Sequence, residues 1–253
     1  MTIHIYFRHC PTARLTPQAR PAWFGYDLCF ANLVETTRQG REAGRIVLHI
    51  VFDGSPEALE IDAIAPHLFP LFEQTPAAIH IHHIEGGNQR AAWRACRRII
   101  GDGAAIADED LIYVLENDYL HVPDWVARLE ELAASPIDWD YATLYDHPDK
   151  YPGYTDVADS ARYRSLVGKV FCAGSHHWRT TPSSTGTYIL RGRTYRRDRS
   201  ILRLGIHDRR LFKLLGLVRR ATVVSPLPSL STHSMSEYLA PVVAWDAVAA
   251  TVR

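Results

Sequence analysis

Arg45 to Pro56 reads RIVLHIVFDGSP. The run from Arg45 to Phe52 is nearly continuously apolar and β-branched, the pattern of a strand covered on both faces and so of a parallel sheet. It stops at Asp53-Gly54-Ser55-Pro56, which signals a turn and also suits a helix start. Working outward, Ile3 to Phe7 forms a first strand and Tyr26 to Arg38 a helix. Ala78 to Ile84 is a third strand closed by Gly86-Gly87. Asn88 then caps a helix whose apolar residues Ala91, Ala92, Ala95, Cys96, Ile99 and Ile100 recur at helical spacing, with Arg90, Arg94, Arg97 and Arg98 largely off that stripe. Leu111 to Leu115 is a fourth strand, and Pro123-Asp124 opens a helix through Ala134. This alternation predicts an α/β fold, a mostly parallel central sheet with helices on both faces. Such sheets bind ligands beyond the carboxyl ends of their strands, where Asp53 and Glu116-Asn117-Asp118 stand.

The second half is less regular. Tyr141 to Tyr145 reads as a strand, and His147 to Ser165 as a long polar loop of the kind that forms lids or acceptor sites. Lys169 to Cys172 and Thr187 to Leu190 read as strands flanking a polar segment from Ser175 to Gly186. A basic helix from Asp208 to Leu217 precedes a Pro/Ser-rich tail carrying His233. Without a repeat or flexible linker, residues 1–253 read as one domain.

The composition is that of an ordinary globular chain: 47% apolar, 22% charged and no net charge, so no overall field draws it to nucleic acid. No stretch approaches the roughly 20 apolar residues that span a bilayer, and Met1 to Cys10 lacks the features of a signal peptide. The four scattered cysteines, with no CxxC pair, read as reduced and mostly buried thiols. Together these predict a cytoplasmic protein. One local imbalance stands out: Arg191 to Arg220 holds eleven basic residues against Asp198 and Asp208 alone. It reads as a solvated helical face, as arginines presented to a diphosphate or lipid-linked phosphate, or as a contact with the anionic inner face of a membrane. Nucleic acid is excluded by the lack of a binding motif or interleaved aromatics.

The segment with most chemistry is LIYVLENDYLHVPDW, Leu111 to Trp125. A strand ending in a tight acidic cluster holds carboxylates where Mg²⁺ or Mn²⁺ can bridge them to phosphate oxygens. Asp118 is the expected direct ligand, with Glu116 acting through water or on a ribose. The competing reading is an acidic turn that caps a strand and faces water.

Three segments in order, IVFDGS (Ile50 to Ser55), GGNQRAAWRAC (Gly86 to Cys96) and YVLENDYLHVPDW (Tyr113 to Trp125), resemble the nucleotide-binding half of GT-A glycosyltransferases, especially family 2. In that family a strand ends in D-[DG]-S, a Gly/Asn-rich turn opens a helix, and a further strand ends in the DxD metal motif. The resemblance implies a GT-A-like fold, with residues 1–125 as the nucleotide-binding half and 126–253 as the acceptor half. It implies that Asp53 contacts the nucleobase or ribose and that Asp118 is the last aspartate of DxD. Glu116-Asn117 departs from the family's usual pair. HDRRLFKLL (His207 to Leu215) resembles the ED motif, which implies that Asp208 is the base deprotonating an acceptor hydroxyl; the competing reading makes Asp208 an N-cap. His233, in SLSTHSMSEY, matches a histidine that completes the metal shell.

Further candidates rest on residue type. Trp178 and Arg179, in SHHWRTTPSSTGTY (Ser175 to Tyr188), could stack on a sugar and meet phosphate. Arg90, opening the helix after Gly87, adds charge near the phosphates. His80 and His82 fall on one strand face and His83 on the other, which argues against a three-ligand site.

The expectation is therefore an inverting, metal-dependent glycosyltransferase. It would move sugar from a nucleotide-diphosphate donor to a glycan or lipid-linked hydroxyl acceptor, as in surface polysaccharide synthesis. Donor binding falls to Asp53, Arg90, Glu116, Asn117 and Asp118, metal binding to Asp118 and His233, and catalysis to Asp208. Two alternatives remain. A nucleotidyltransferase would carry a G-x-G-T-R-like loop where this chain has His9-Cys10-Pro11-Thr12. A non-catalytic nucleotide-sugar binding module would bind without turnover.

Overall fold

The computed structural model describes residues 1–11, 19–102, 106–151, 154 and 166–252. Thr12 and most of the loop expected from His147 to Ser165 lie outside them. Strands β1 (Ile3–His9), β2 (Ile46–Asp53), β3 (Ile79–Ile84) and β4 (Leu111–Glu116) pair in parallel in the order β3-β2-β1-β4. Between them run α1 (Tyr26–Glu42), α2 (Pro56–Glu60), α3 (Ala65–Gln74) and α4 (Gln89–Asp102). The expected helix starts are built as the residue types suggest. Ser55 Oγ accepts the Ala58 amide at 3.3 Å, and Asn88 Oδ1 accepts that of Ala91 at 3.0 Å. Gly87, at φ +63°, makes the turn before α4, a conformation most other residues resist.

The chain continues through β5 (Tyr119–His121), α5 (Trp125–Ala134), β6 (Tyr141–Ala142), β7 (Val170–Ala173), β8 (His176–Thr180), β9 (Tyr188–Arg191), α6 (Gly192–Leu202), α7 (Asp208–Arg219), β10 (Val223–Leu227), β11 (Ser231–His233) and α8 (Trp245–Ala250). β9 joins β4 antiparallel and extends the same sheet through β6, β10, β8 and β7. Among the described residues this sheet has nine strands, of which only β8 and β9 run against the rest, so the mostly parallel α/β sheet expected from the sequence is present. Strands from both halves of the chain belong to it.

Alternate side chains feed two cores. Ile3, Ile5, Phe7, Leu111, Tyr113 and Leu115 pack with residues of α1, α3, α5 and α8, while Tyr6, Ile112, Val114 and Leu190 pack with those of α4, α6 and α7. Both faces are therefore covered, which is why these strands are apolar without alternation.

Three readings of the second half are corrected. The polar segment from Ser175 contains a strand, β8, whose inward position is taken by Trp178, fully buried at 0% exposure. Its polar neighbours hid the period of two. The Pro/Ser-rich tail supplies β10, β11 and α8. Pro226 is tolerated in β10 because β6 pairs only as far as Val224. The strand expected from Tyr141 to Tyr145 is cut to two residues, with Tyr145 bridging to Ser231. Cys29 and Cys96 are buried, whereas Cys172 is exposed on β7; among the described residues no disulfide forms. Among the described residues no helix is long and apolar enough to cross a membrane.

Candidate functional site

The carboxyl ends of the parallel strands bring His9, Asp53, Ile84 and Glu116 to one edge of the sheet. Register there does chemical work. Arg8 lies opposite Glu116, and its Nη2 donates to Glu116 Oε1 at 2.5 Å. The same guanidinium stacks 3.7 Å above the Trp93 ring of α4. Burial pushes the Glu116 carboxyl above its ordinary value. Arg8 pulls it down, and the nearby charge of Asp118 adds to the rise.

Two residues on, Asp118 is oppositely tuned. Burial acts to raise it, but His233 and Arg20 together outweigh burial and hold the carboxyl below its usual range. Arg20 Nη1 donates to Asp118 Oδ2 at 3.0 Å and to the Ser234 carbonyl at 2.7 Å. His233 Nε2 also lies 3.0 Å from Asp118 Oδ2. The small antiparallel sheet of β5 and β11 makes this meeting possible, pairing His233 with Tyr119 in register. The Tyr119 and His233 rings stack at 5.2 Å, and the Ser234 amide donates to the Asp118 carbonyl at 2.8 Å. Two segments more than a hundred residues apart are thus clasped at one carboxylate.

Asn117, between the two acids, turns elsewhere. Its Nδ2 lies 2.9 Å from His9 Nδ1, and His9 Nε2 lies 2.8 Å from Asp62 Oδ1. With Asp62 accepting the Nε2 proton, His9 Nδ1 is left to accept from the Asn117 amide. Asn117 therefore fixes the turn between Glu116 and Asp118.

Asp208 is the first residue of α7, not its N-cap, which is His207. Its Oδ2 accepts the Gly186 amide at 2.9 Å, and its Oδ1 lies 2.5 Å from His207 Nδ1. Gly186, at φ +64°, presses so closely on Glu116 that an added Cβ would collide with its carboxylate. The 185–186 turn is the bridge between the strand-end acid and the helix-start acid.

These groups line a cavity of about 270 Å³. Arg90, Glu116, Asp208 and His233 all face it, as do Trp93, Arg97, Tyr119 and Tyr188. Asp118 sits immediately behind His233. A larger open groove of about 490 Å³ lies along α2 and α3, lined by Ile61, Pro66, Phe69 and Pro70 beside Glu60 and Asp62. Its described lining offers two carboxylates and no basic or aromatic polar group opposite them, so the smaller cavity, lined by both signs of charge, is the candidate site.

Other sequence candidates lie elsewhere. Asp53 Oδ1 accepts the Gly86 amide at 2.6 Å and so holds the turn that launches α4; Asp53 is not among the residues lining the cavity. Trp178 is core and cannot stack on a sugar ring. Arg179 Nη2 is engaged by Asp146 at 2.5 Å and its guanidinium stacks on Tyr151. The basic run divides: Arg191, Arg193, Arg196, Arg197, Arg199 and Arg219 all pair with carboxylates. His80 and His82 stack on His49, within a ladder that extends to His4, whereas His83 turns to the Gly54 carbonyl. Neither Arg8 nor Arg20 sits in a local motif. Only strand register and the clasp at Asp118 reveal them.

The donor chemistry suits a divalent cation in part. Atoms 3.0 Å apart, such as Asp118 Oδ2 and His233 Nε2, have the spacing of neighbouring ligands on an octahedral ion with bonds of about 2.1 Å. Among the described residues no three His, Cys, Asp or Glu side chains converge as a metal site, so substrate oxygens would have to complete the shell.

No known protein family and no curated protein matches the sequence. Solved structures that resemble the chain include a mycobacterial protein (TM-score 0.46, 11% identity, 89% of this chain and 64% of that one). They also include an inositol-1-phosphate CTP transferase from T. maritima (TM-score 0.43, 8% identity, 89% and 85%). A third is described as a nucleotide-diphospho-sugar transferase from Desulfovibrio desulfuricans G20 (TM-score 0.41, 14% identity, 89% and 80%). The chain thus spans under two thirds of the mycobacterial protein.

Proposed function

We propose that this protein is a nucleotide-sugar-dependent glycosyltransferase acting with inversion on a hydroxyl acceptor. The observation that carries the reading is the cavity that gathers Arg90, Glu116, Asp208 and His233 from four distant segments at the carboxyl ends of parallel strands. Arg90 and Arg97 give its wall the positive charge that a diphosphate needs, and the aromatic rings of Trp93, Tyr119 and Tyr188 suit a base or sugar. Asp208, held at the start of α7 by the Gly186 amide, takes the proton of the acceptor hydroxyl. That oxygen forms a bond to the anomeric carbon from the side opposite the breaking bond to the diphosphate. Glu116 is locked by Arg8 and orients donor hydroxyls.

Asp118 and His233 would hold Mg²⁺ or Mn²⁺, which supplies charge neutralisation to the departing diphosphate. Arg20 shares the same Asp118 oxygen, so it must release or share that carboxylate when the cation enters. A glycan or lipid-linked alcohol is the acceptor class in this reading, and surface polysaccharide synthesis the context.

The test is a panel of nucleotide sugars assayed for nucleoside diphosphate release, with and without Mn²⁺. Release from one donor, reduced about 10²–10⁴-fold by Asp208→Asn, supports the reading. Release of pyrophosphate from a nucleoside triphosphate and a sugar phosphate would replace it with nucleotidyl transfer. Binding of a nucleotide sugar without turnover would leave a binding module.

A further inference from the structure

The arginine-rich stretch that looked uniform in sequence is of two kinds in three dimensions. On α6 the basic residues are consumed by carboxylates: Arg193 by Glu109, Arg196 by Asp108 and Arg197 by Asp140 and Asp198. On α7 the outward stripe is different. Arg210, Lys213 and Leu217 follow at i, i+3 and i+7, while Leu211, Phe212 and Leu215 point into the core. Arg210 and Lys213 are exposed and form no salt bridge among the described residues. Beside them large apolar side chains stand in the open: Leu217 is 73% exposed and Val218 55%.

The same combination recurs in the turn beside the cavity, which Gly205 lines. The turn after α6 exposes Leu204 at 51% next to an exposed Arg203. Arg94, exposed on α4, lies so close to Gly205 that an added Cβ there would contact its side chain at 2.8 Å. Arg203 and Arg94, too, have no carboxylate partner among the described residues. Arg90, on the same helix, lines the cavity, as do Gly205 and Asp208.

We propose that this face, from α4 over the 203–205 turn to the outer side of α7, docks on an anionic phospholipid bilayer. Uncompensated cations would lie against headgroup phosphates, and Leu204, Leu217 and Val218 would enter the headgroup–acyl boundary. Charge complementarity selects this occupant. Large apolar side chains interspersed among unpaired cations match a surface that is anionic outside and apolar just beneath. A nucleic acid would have no use for the leucines. The inference stands apart from the transferase reading, since vesicle binding requires no turnover.

Co-sedimentation of the full chain with vesicles tests it. The protein is expected to bind vesicles of phosphatidylglycerol and phosphatidylcholine, with binding weakened by salt, and to leave pure phosphatidylcholine in the supernatant. The double variant Arg210→Glu/Lys213→Glu and the single variant Leu217→Ser should each lower partitioning about tenfold. Arg38→Glu, on α1 across the sheet, should bind as the wild type does. Thermal melts check that each exposed substitution leaves the fold intact. Failure to bind the anionic vesicles overturns the proposal. So does undiminished binding by Leu217→Ser with competition by duplex DNA, which would make the face a general polyanion site.

Discussion

Two charge clusters, one buried and one half-buried, lie close together in this molecule and have opposite characters. Around Asp146, Asp149 and Arg179 the charges are turned on one another. Arg179 and the Tyr151 hydroxyl both donate to Asp146, while His147 and Lys150 lie 2.8 and 3.4 Å from Asp149. Burial pushes the Asp146 carboxyl up even against Arg179 and Tyr151. Around Glu116, Asp208 and His233 the same residue types also have protein partners, yet each keeps a side toward an open cavity. Burial and shifted pKa values are common to both clusters. What distinguishes a site from a structural network is hydrogen-bonding capacity facing a space that a ligand can enter.

Substitution should separate the clusters by readout. Asp208→Asn keeps an oxygen for the Gly186 amide, so we expect the unfolding free energy to stay within about 1 kcal/mol of wild type. Transfer activity should fall about a thousandfold. Arg179→Met should do the reverse. It strands Asp146 without its cation in a dry site, and a loss of about 3 kcal/mol is expected in denaturant unfolding. Equal stability losses in the two variants would erase the distinction.

Gly186→Ala sharpens the comparison at the bridge between the acids. The positive φ costs roughly 1–2 kcal/mol for a non-glycine residue, and the new methyl meets the Glu116 carboxylate. Activity should drop further than the melting shift explains, because the displaced groups line the cavity.

The smallest expected effect comes from a third buried group of titratable residues. His49 is held neutral to about pH 3 by burial, with His4, His80 and His82 adding like-charge repulsion, and His121 to about pH 3 by burial alone. Their folded values lie below the ordinary value of 6.5, so the native state binds fewer protons than the unfolded chain below that pH. Their stabilisation is complete above about pH 6.5 and is lost as pH falls toward 3. Between pH 7 and 6 each should cost roughly 0.7 kcal/mol. Urea midpoints across that range should decline in the wild type and decline less in His49→Gln.

The parallel half of the fold was legible because burial on both faces leaves long β-branched runs such as Ile46 to Phe52, which few alternatives mimic. The second half was legible only in part: β7 and β9 fall where the runs Lys169 to Cys172 and Thr187 to Leu190 put them, but β8 and β6 were hidden. β8 carries its one core residue, Trp178, among polar neighbours, and β6 has only two residues, too short for any period to show. At the site, Glu116, Asp118, Asp208 and His233 could be picked out from local motif, and the fold gathers them. Arg8 and Arg20 could not, since their roles depend on partners about a hundred residues away. The basic run misled for the same reason: Asp108, Glu109 and Asp140, which neutralise α6, come from elsewhere in the chain.

The central claim is that the cavity beside Asp118 holds a nucleoside diphosphate. Isothermal titration of the wild type and Asp118→Asn with a panel of nucleoside diphosphates, in the presence and absence of Mn²⁺, addresses it directly. The account predicts that at least one diphosphate binds the wild type, that Mn²⁺ tightens it, and that Asp118→Asn weakens it at least about tenfold. Absence of binding across the panel, or equal affinity in the variant, would contradict it.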